Sequence, residues 1–247
     1  MKITVPVIAA AAILTLALAG CSGGGGTSTS GTATTAPKTN GSSSSKDYSA
    51  DDLVALLTKA EATLKVKGTI KDDAQLKADL AKLGKDESGG IATSIAKEGG
   101  KITPASCATA LNNLVPDAKN FTSSGGVEAS LTYSKGILGV LANPKGALPT
   151  SISSGILTNL DGIYSSCGNM KLTLSGISGG LSITKVAATT NADQTYAFNE
   201  TIDIAGQKSV TTSVQGIYGN LYISEVGLGG TLADDEAAIN AVVAAAK

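Results

Sequence analysis

Residues 196–226 read YAFNETIDIAGQKSVTTSVQGIYGNLYISEV, and this stretch decides the fold. Tyr196, Phe198, Ile202 and Ile204 recur at the two-residue period of a strand, with one polar position between the pairs. Segments 208–217 and 221–226 continue as two further strands, turning tightly near Gly219-Asn220. Upstream, Met170, Leu172 and Leu174 alternate in the same way, and 181–189 reads as another strand. Residues 127–134 (VEASLTYS) and 137–142 (ILGVLA) form an earlier pair joined at Lys135-Gly136. Strands that follow one another through short turns pair antiparallel.

Helical signals surround this β-rich region. Ser49 is placed to cap a helix with Asp51 and Asp52 in its first turn and Leu53, Leu56, Leu57, Ala60 and Leu64 along one face. A second helix is predicted over Asp72–Leu83, with Leu76, Leu80 and Leu83 as its stripe and Gly84 as its stop. A short helix follows near 90–98. Thr103-Pro104 then reads as N-cap and first residue of a helix carrying Cys107 and Leu111. Ile152, Ile156, Leu160, Ile163, Tyr164 and Cys167 fall at helical spacing. A last helix, 233–246, opens on Asp234-Asp235-Glu236 and presents Ile239, Val242 and Val243. The order predicts an α+β domain: an antiparallel sheet with helices on one side.

The first residues point to where the protein works. Lys2 precedes the apolar run 3–19, and Leu18-Ala19-Gly20-Cys21 closes it with small residues. That is the pattern of a secretory signal over residues 1–20. A cysteine directly after it resembles the lipobox of bacterial lipoproteins, in which the thiol is acylated and Cys21 becomes the N-terminus. Two acyl chains are the number needed for stable membrane anchoring. The alternative is an uncleaved transmembrane anchor. Its run of about 17 residues sits at the bottom of the spanning range, is rich in alanine and is followed by no basic stop. Residues 21–46 then hold Cys21 and a Gly/Ser/Thr-rich tether, which as a random coil spans roughly 25–30 Å. A glycosylated stalk is the other reading of that segment. A single domain fills 47–247.

Composition removes several function classes. The chain has no His and no Trp, and all 19 basic residues are lysines. Without imidazole there is no Ser-His dyad and no His metal ligand. Without Arg there is no bidentate fork for phosphate or carboxylate. Removal of residues 1–20 takes Lys2 and leaves 18 lysines against 20 acidic residues, so nucleic acid is not an expected partner. No cofactor or metal is expected. Cys21 being committed to lipid, Cys107 and Cys167 remain as an even pair in an oxidising compartment and are expected to form a disulfide. A thiolate metal site is the alternative, and no other soft ligand is available to complete it. The bridge closes a loop of about 60 residues, for which chain entropy gives roughly 4 kcal/mol of stabilisation.

Several short motifs then carry a resemblance. Pro104-Ala-Ser-Cys107 starts one helix, Tyr164-Ser-Ser-Cys167 ends another, and Gly219-Asn-Leu-Tyr-Ile-Ser224 lies in a strand before an Ala-rich terminal helix. Together with the lipobox and tether, this order resembles the extracellular sensor domain of mycobacterial PknH-type kinases and related actinobacterial lipoproteins, over about residues 48–247. The resemblance implies a twisted antiparallel sheet flanked by helices, a cleft, a ligand-sensing role and no catalytic residues. Those domains usually carry a Trp before the second cysteine and a second disulfide; here Tyr164 stands in and the extra cysteines are missing. Nothing in the chain resembles a kinase.

Chemical motifs are weak by comparison. Gly176-Ile-Ser-Gly-Gly180 matches the hydrolase G-x-S-x-G pattern, but it joins two strands and has no His, so it reads as a turn. Ser94-Ile-Ala-Lys97 matches S-x-x-K, as do Ser43–Lys46 and Ser182–Lys185, without the partner motifs of penicillin-binding enzymes. Gly227-Leu-Gly-Gly230 reads as a connector rather than a phosphate loop. Asp72-Asp73 and Asp234-Asp235-Glu236 read as dipole partners at helix starts.

The expected function is a non-enzymatic binding or sensing module on the outer face of the cell membrane, held there through Cys21. Its ligand would be small or lipidic and would lie in an apolar cleft. Tyr133, Tyr164, Tyr196, Tyr218 and Tyr222 are the candidate ligand-binding residues, since a ring with a hydroxyl serves both apolar and polar contacts; the competing reading makes each a half-buried core residue. The alternative function is an envelope protein-interaction or structural lipoprotein without a small ligand. A Ser–Lys hydrolase centred on Ser94 is the third.

Overall fold

The computed structural model describes residues 46–86, 91–97, 99–110, 112, 125–148, 166–174, 177–204 and 206–247. In chain order the elements are α1 (Ala50–Leu64), β1 (Gly68–Lys71), α2 (Asp73–Asp86), α3 (Ile91–Lys97), β2 (Lys101–Thr103), β3 (Val127–Tyr133) and β4 (Gly136–Ala142). They continue with β5 (Asn169–Leu174), β6 (Ile177–Lys185), β7 (Gln194–Ile204), β8 (Gln207–Tyr218), β9 (Leu221–Gly227) and α4 (Leu232–Ala246). The nine strands form one sheet in the order β1-β3-β4-β9-β8-β7-β6-β5-β2, each neighbour antiparallel. Strands β5 to β9 are a run of successive hairpins. The pairing of β4 with β9 joins that run to the early hairpin β3–β4.

Alternation along each strand gives the sheet two apolar faces. On one, Leu131, Leu138, Val214 and Ile223 pack beneath α1 and α4, which meet through Leu53, Leu57, Ala60, Ala238, Val242 and Val243. Full burial of a Leu or Val side chain contributes roughly 1.5–3 kcal/mol, so this layer carries much of the stability. Both helices start with a capping box. Ser49 accepts from the Asp52 N–H, and Asp52 accepts from the Ser49 N–H; Thr231 and Asp234 repeat the arrangement on α4. Lys65 ends α1 in the left-handed region.

On the opposite face Leu141, Leu181, Ile183, Phe198, Ile217 and Tyr222 pack with Ala92, Ile102 and the disulfide. The Cys107–Cys167 bridge is formed, with Cα atoms 4.8 Å apart. Cys107 lies in the helical stretch 105–110, and Cys167 is helical and is separated from β5 by Gly168. Helices therefore meet both faces rather than one, because both faces are apolar.

Other expectations are corrected. Gly84 does not stop α2, which runs to Asp86. Thr103 is not an N-cap: it closes β2 against Lys171, and helical residues begin at Ala105. Ile177–Gly180 is not a turn but the start of β6, paired with β5 from Leu174 to Lys171. Strand β6 ends at Lys185, and 186–193 forms a connection pinned to α4 by Glu236, which accepts from the Thr189 N–H at 2.7 Å, and Asn240, which accepts from the Asn191 N–H at 2.6 Å. The predicted helix through Ile152–Tyr164 lies outside the described residues, as do Cys21, the tether to residue 45 and the Ser94 side chain.

Candidate functional site

The structure divides the candidate tyrosines between the two faces. Tyr222 pairs with Leu141, and Tyr196 with Gln215, on the disulfide face. Tyr133 and Tyr218 belong to the opposite face, in the layer under α1 and α4. Tyr164 lies outside the described residues. Tyr133 is 7% exposed and its hydroxyl donates to Glu225 Oε1 at 2.8 Å, which makes it a core group. Tyr196 stays half-buried, with Lys185 Nζ 5.7 Å from its ring centre. Tyr196 and Tyr222 therefore share one face of the sheet and Tyr133 and Tyr218 the other, and Tyr222, at 1% exposure, is buried in the core of its face.

That surface has a polar centre in an apolar frame. Register places Tyr196, Gln215, Ser224, Gly139 and Ser130 in one row across β7, β8, β9, β4 and β3. Phe198 and Ser213 pair in the next row, and Glu200 follows Phe198 on the same face two residues on. Glu200, Ser213 and Gln215 are all buried. Among the described residues Glu200 Oε1, Ser213 Oγ and Gln215 Oε1 have no hydrogen-bond partner. Buried polar atoms are normally satisfied by protein, water or ligand, so three orphans on adjacent positions mark this floor. Burial alone raises the Glu200 carboxyl to about 7.

A small cavity opens beside this row, where α2 meets β3, β4 and β9. Leu76, Glu128, Ser130, Leu141, Tyr222 and Ser224 line it, and its volume of about 30 Å³ suits one water rather than a drug-sized molecule. Burial, then the charge of Asp73, lifts Glu128 to about 7 against the pull of Lys77. Asp73 accepts from the Glu128 N–H at 3.1 Å and is paired with Lys77 at 2.7 Å, so α2 is tied to β3 at this point.

Sequence reasoning missed a second cluster. Glu225 on β9 and Asp235 in the first turn of α4 are both 0% exposed. Glu225 Oε1 receives the Tyr133 hydroxyl; Glu225 Oε2 and both Asp235 oxygens have no partner among the described residues. Burial pushes Glu225 well above the usual carboxylate range, with the Tyr133 bond opposing and Asp235 adding to the rise. Burial, then Asp234 and Glu236, raises Asp235 to about 7. The signal was present in LYISEVG: Glu225 occupies the inward register of Leu221 and Ile223. Glu200 likewise interrupts the apolar register of Phe198 and Ile202. Among the described residues no group of three or more His, Cys, Asp or Glu is placed to hold a metal.

Among solved structures, the chain is similar to the extracellular domain of PknH from Mycobacterium tuberculosis, at 12% identity and a TM-score of 0.45, over 81% of this chain and 97% of that one. It is also similar to a putative uncharacterized protein, the Rv0999 ortholog, from Mycobacterium smegmatis, at 14% identity and a TM-score of 0.34, over 76% and 95%. No residue role is carried across from either structure. No protein-family model and no curated protein matches the chain. Among the described residues no helix is long and apolar enough to cross a membrane.

Proposed function

We propose that the protein is a non-enzymatic binding or sensing lipoprotein, anchored through Cys21 on the outer face of the cell membrane, with the disulfide face of its sheet as the ligand surface. The observation that carries the reading is the set of buried acceptors Glu200 Oε1, Ser213 Oγ and Gln215 Oε1 without partners among the described residues, framed by Phe198, Ile183 and Tyr222. Such a floor suits a small or lipidic ligand with an apolar body and a few hydrogen-bond donors. Tyr196, half-buried at its border, is the candidate contact, and Tyr222 is a buried part of its frame. Tyr133 and Tyr218, on the other face, serve packing.

Thermal unfolding of the mature protein with fractions of its host's small molecules and lipids tests this. A ligand at about 100 times its Kd stabilises by roughly 2.7 kcal/mol, a readily measured rise in Tm. That rise is expected in the parent protein and is expected to shrink in Glu200→Gln and Gln215→Leu. Stabilisation that is unchanged in both variants would place the ligand elsewhere. If no fraction stabilises the protein, the envelope protein-interaction reading takes its place; the small size of the described cavity is the observation that favours that alternative.

A further inference from the structure

The buried carboxyls of Glu225 and Asp235 lie on the face opposite the proposed ligand surface, where three parts of the chain meet: the β3–β4 hairpin, the end of β9 and the start of α4. Room for them is made by two glycines. Gly136 and Gly227 pair directly across β4 and β9. A Cβ on Gly227 would stand 2.7 and 2.8 Å from the two Asp235 oxygens, and a Cβ on Gly136 would collide with Glu225 Oε1. The chain has been left without side chains where these acids lie.

No cation faces the pair among the described residues. Lys135, on the adjoining turn, is engaged by Asp234 at 2.7 Å. From α4 itself the neighbouring charges are Asp234 and Glu236, both acidic. β3 contributes the Tyr133 hydroxyl. The charged groups of α1 are turned to other tasks: Asp52 closes the Ser49 cap, Glu61 accepts from the Gly68 N–H, and Asp51 and Lys59 are exposed. β4 carries no charged residue, and Lys208 of β8 is exposed at the far end of its strand. Among the described residues two negative charges would have no counterion in this cradle, whereas two neutral acids would fit it.

We propose that Glu225 and Asp235 act as a proton-held latch: carrying their protons, they seat the first turn of α4 on β9, and loss of those protons to solvent as pH rises loosens that turn. The consequence travels along α4. Glu236 and Asn240, one and two turns on, pin Thr189 and Asn191 of the connection that leads into β7. A loosened α4 therefore loosens the entry to the strand that carries Phe198 and Glu200. The domain would read external pH through one helix end.

Hydrogen exchange of the mature full-length protein at about pH 6 and about pH 8, corrected for the intrinsic rate, tests the latch. Amides of residues 234–240 and the Thr189 and Asn191 amides are expected to lose roughly tenfold protection at the higher pH, while α1 keeps its own. The Glu225→Gln/Asp235→Asn variant, which imitates the neutral pair, is expected to hold its protection at both values. Equal protection of α4 at both pH values in the parent, or an equal loss in the variant, would overturn the proposal. Should the variant fail to fold, ¹³C carboxyl titration of the parent decides: assigned Glu225 and Asp235 signals moving above about pH 6 support the latch, and signals moving below about pH 5 overturn it.

Discussion

At the scale of single residues, the structure turns on polar groups set into apolar registers. Tyr133→Phe removes the one bond made to Glu225 among the described residues and leaves its carboxyl without a donor; a loss of about 1–3 kcal/mol is expected in denaturant unfolding. Gly227→Ala drives a Cβ against the Asp235 carboxyl, and a similar loss of about 1–3 kcal/mol is expected from the forced shift. A parent-like midpoint in either variant would show that the cluster yields freely. These residues were only half legible. The interruptions by Glu200 and Glu225 stand in the alternation, but whether an interrupting acid faces solvent or core depends on what covers the strand, and covering elements come from distant sequence. Asp235 was read as a dipole partner at a helix start, a role that Asp234 fills through Thr231 and Lys135. The five tyrosines were chosen for their chemistry, which says nothing about which face each one joins.

At the scale of elements, α1, α4 and the hairpins were legible because each carries its own signal. Capping residues and leucine spacing mark α1, and strand-prone segments on either side of a tight Gly219-Asn220 turn mark β8 and β9. The short edge strands β1 and β2 were not, since three or four residues have no periodicity of their own and are strands only through pairing with β3 and β5. The same dependence made Ile177–Gly180 look like a turn. Acids on strands β3, β7 and β9 and at the start of α4 also set the pH response. Glu128, Glu200 and Asp235, each raised to about 7, and Glu225, raised well above its ordinary range, hold protons in the fold that the unfolded chain has released. Their stabilisation is full below the unfolded carboxylate range of about 4 and is lost as pH rises toward 7. Asp234, held near 2 by Lys135 and Thr231, acts oppositely: its contribution is present above about 4 and lost as pH falls toward 2. The urea midpoint is therefore expected to be higher near pH 4.5 than near pH 7.5. A midpoint that rises across that interval would contradict the burial of these acids.

At the scale of the whole molecule, one sheet separates two cores with different tasks. The core under α1 and α4 is apolar and closely packed but for the acid pair, while the other face combines the disulfide with the polar floor. Reduction of Cys107–Cys167 removes a cross-link over a separation of 60 residues, and a loss of roughly 4 kcal/mol is expected in unfolding under reducing conditions. The cysteine count made that bridge legible without any knowledge of the fold, because it needed only parity and a compartment. The compartment reading has its own test: the parent is expected to partition into the detergent phase and Cys21→Ala into the aqueous phase, and detergent partitioning by both would favour an uncleaved anchor. A ligand held on the disulfide face would be seen by native mass spectrometry of the mature protein purified from its own host, before and after organic extraction. A reproducible non-covalent adduct, removed by extraction and absent from Glu200→Gln, is the predicted result. A protein that carries no adduct in any preparation, or one retained unchanged by the variant, would contradict it.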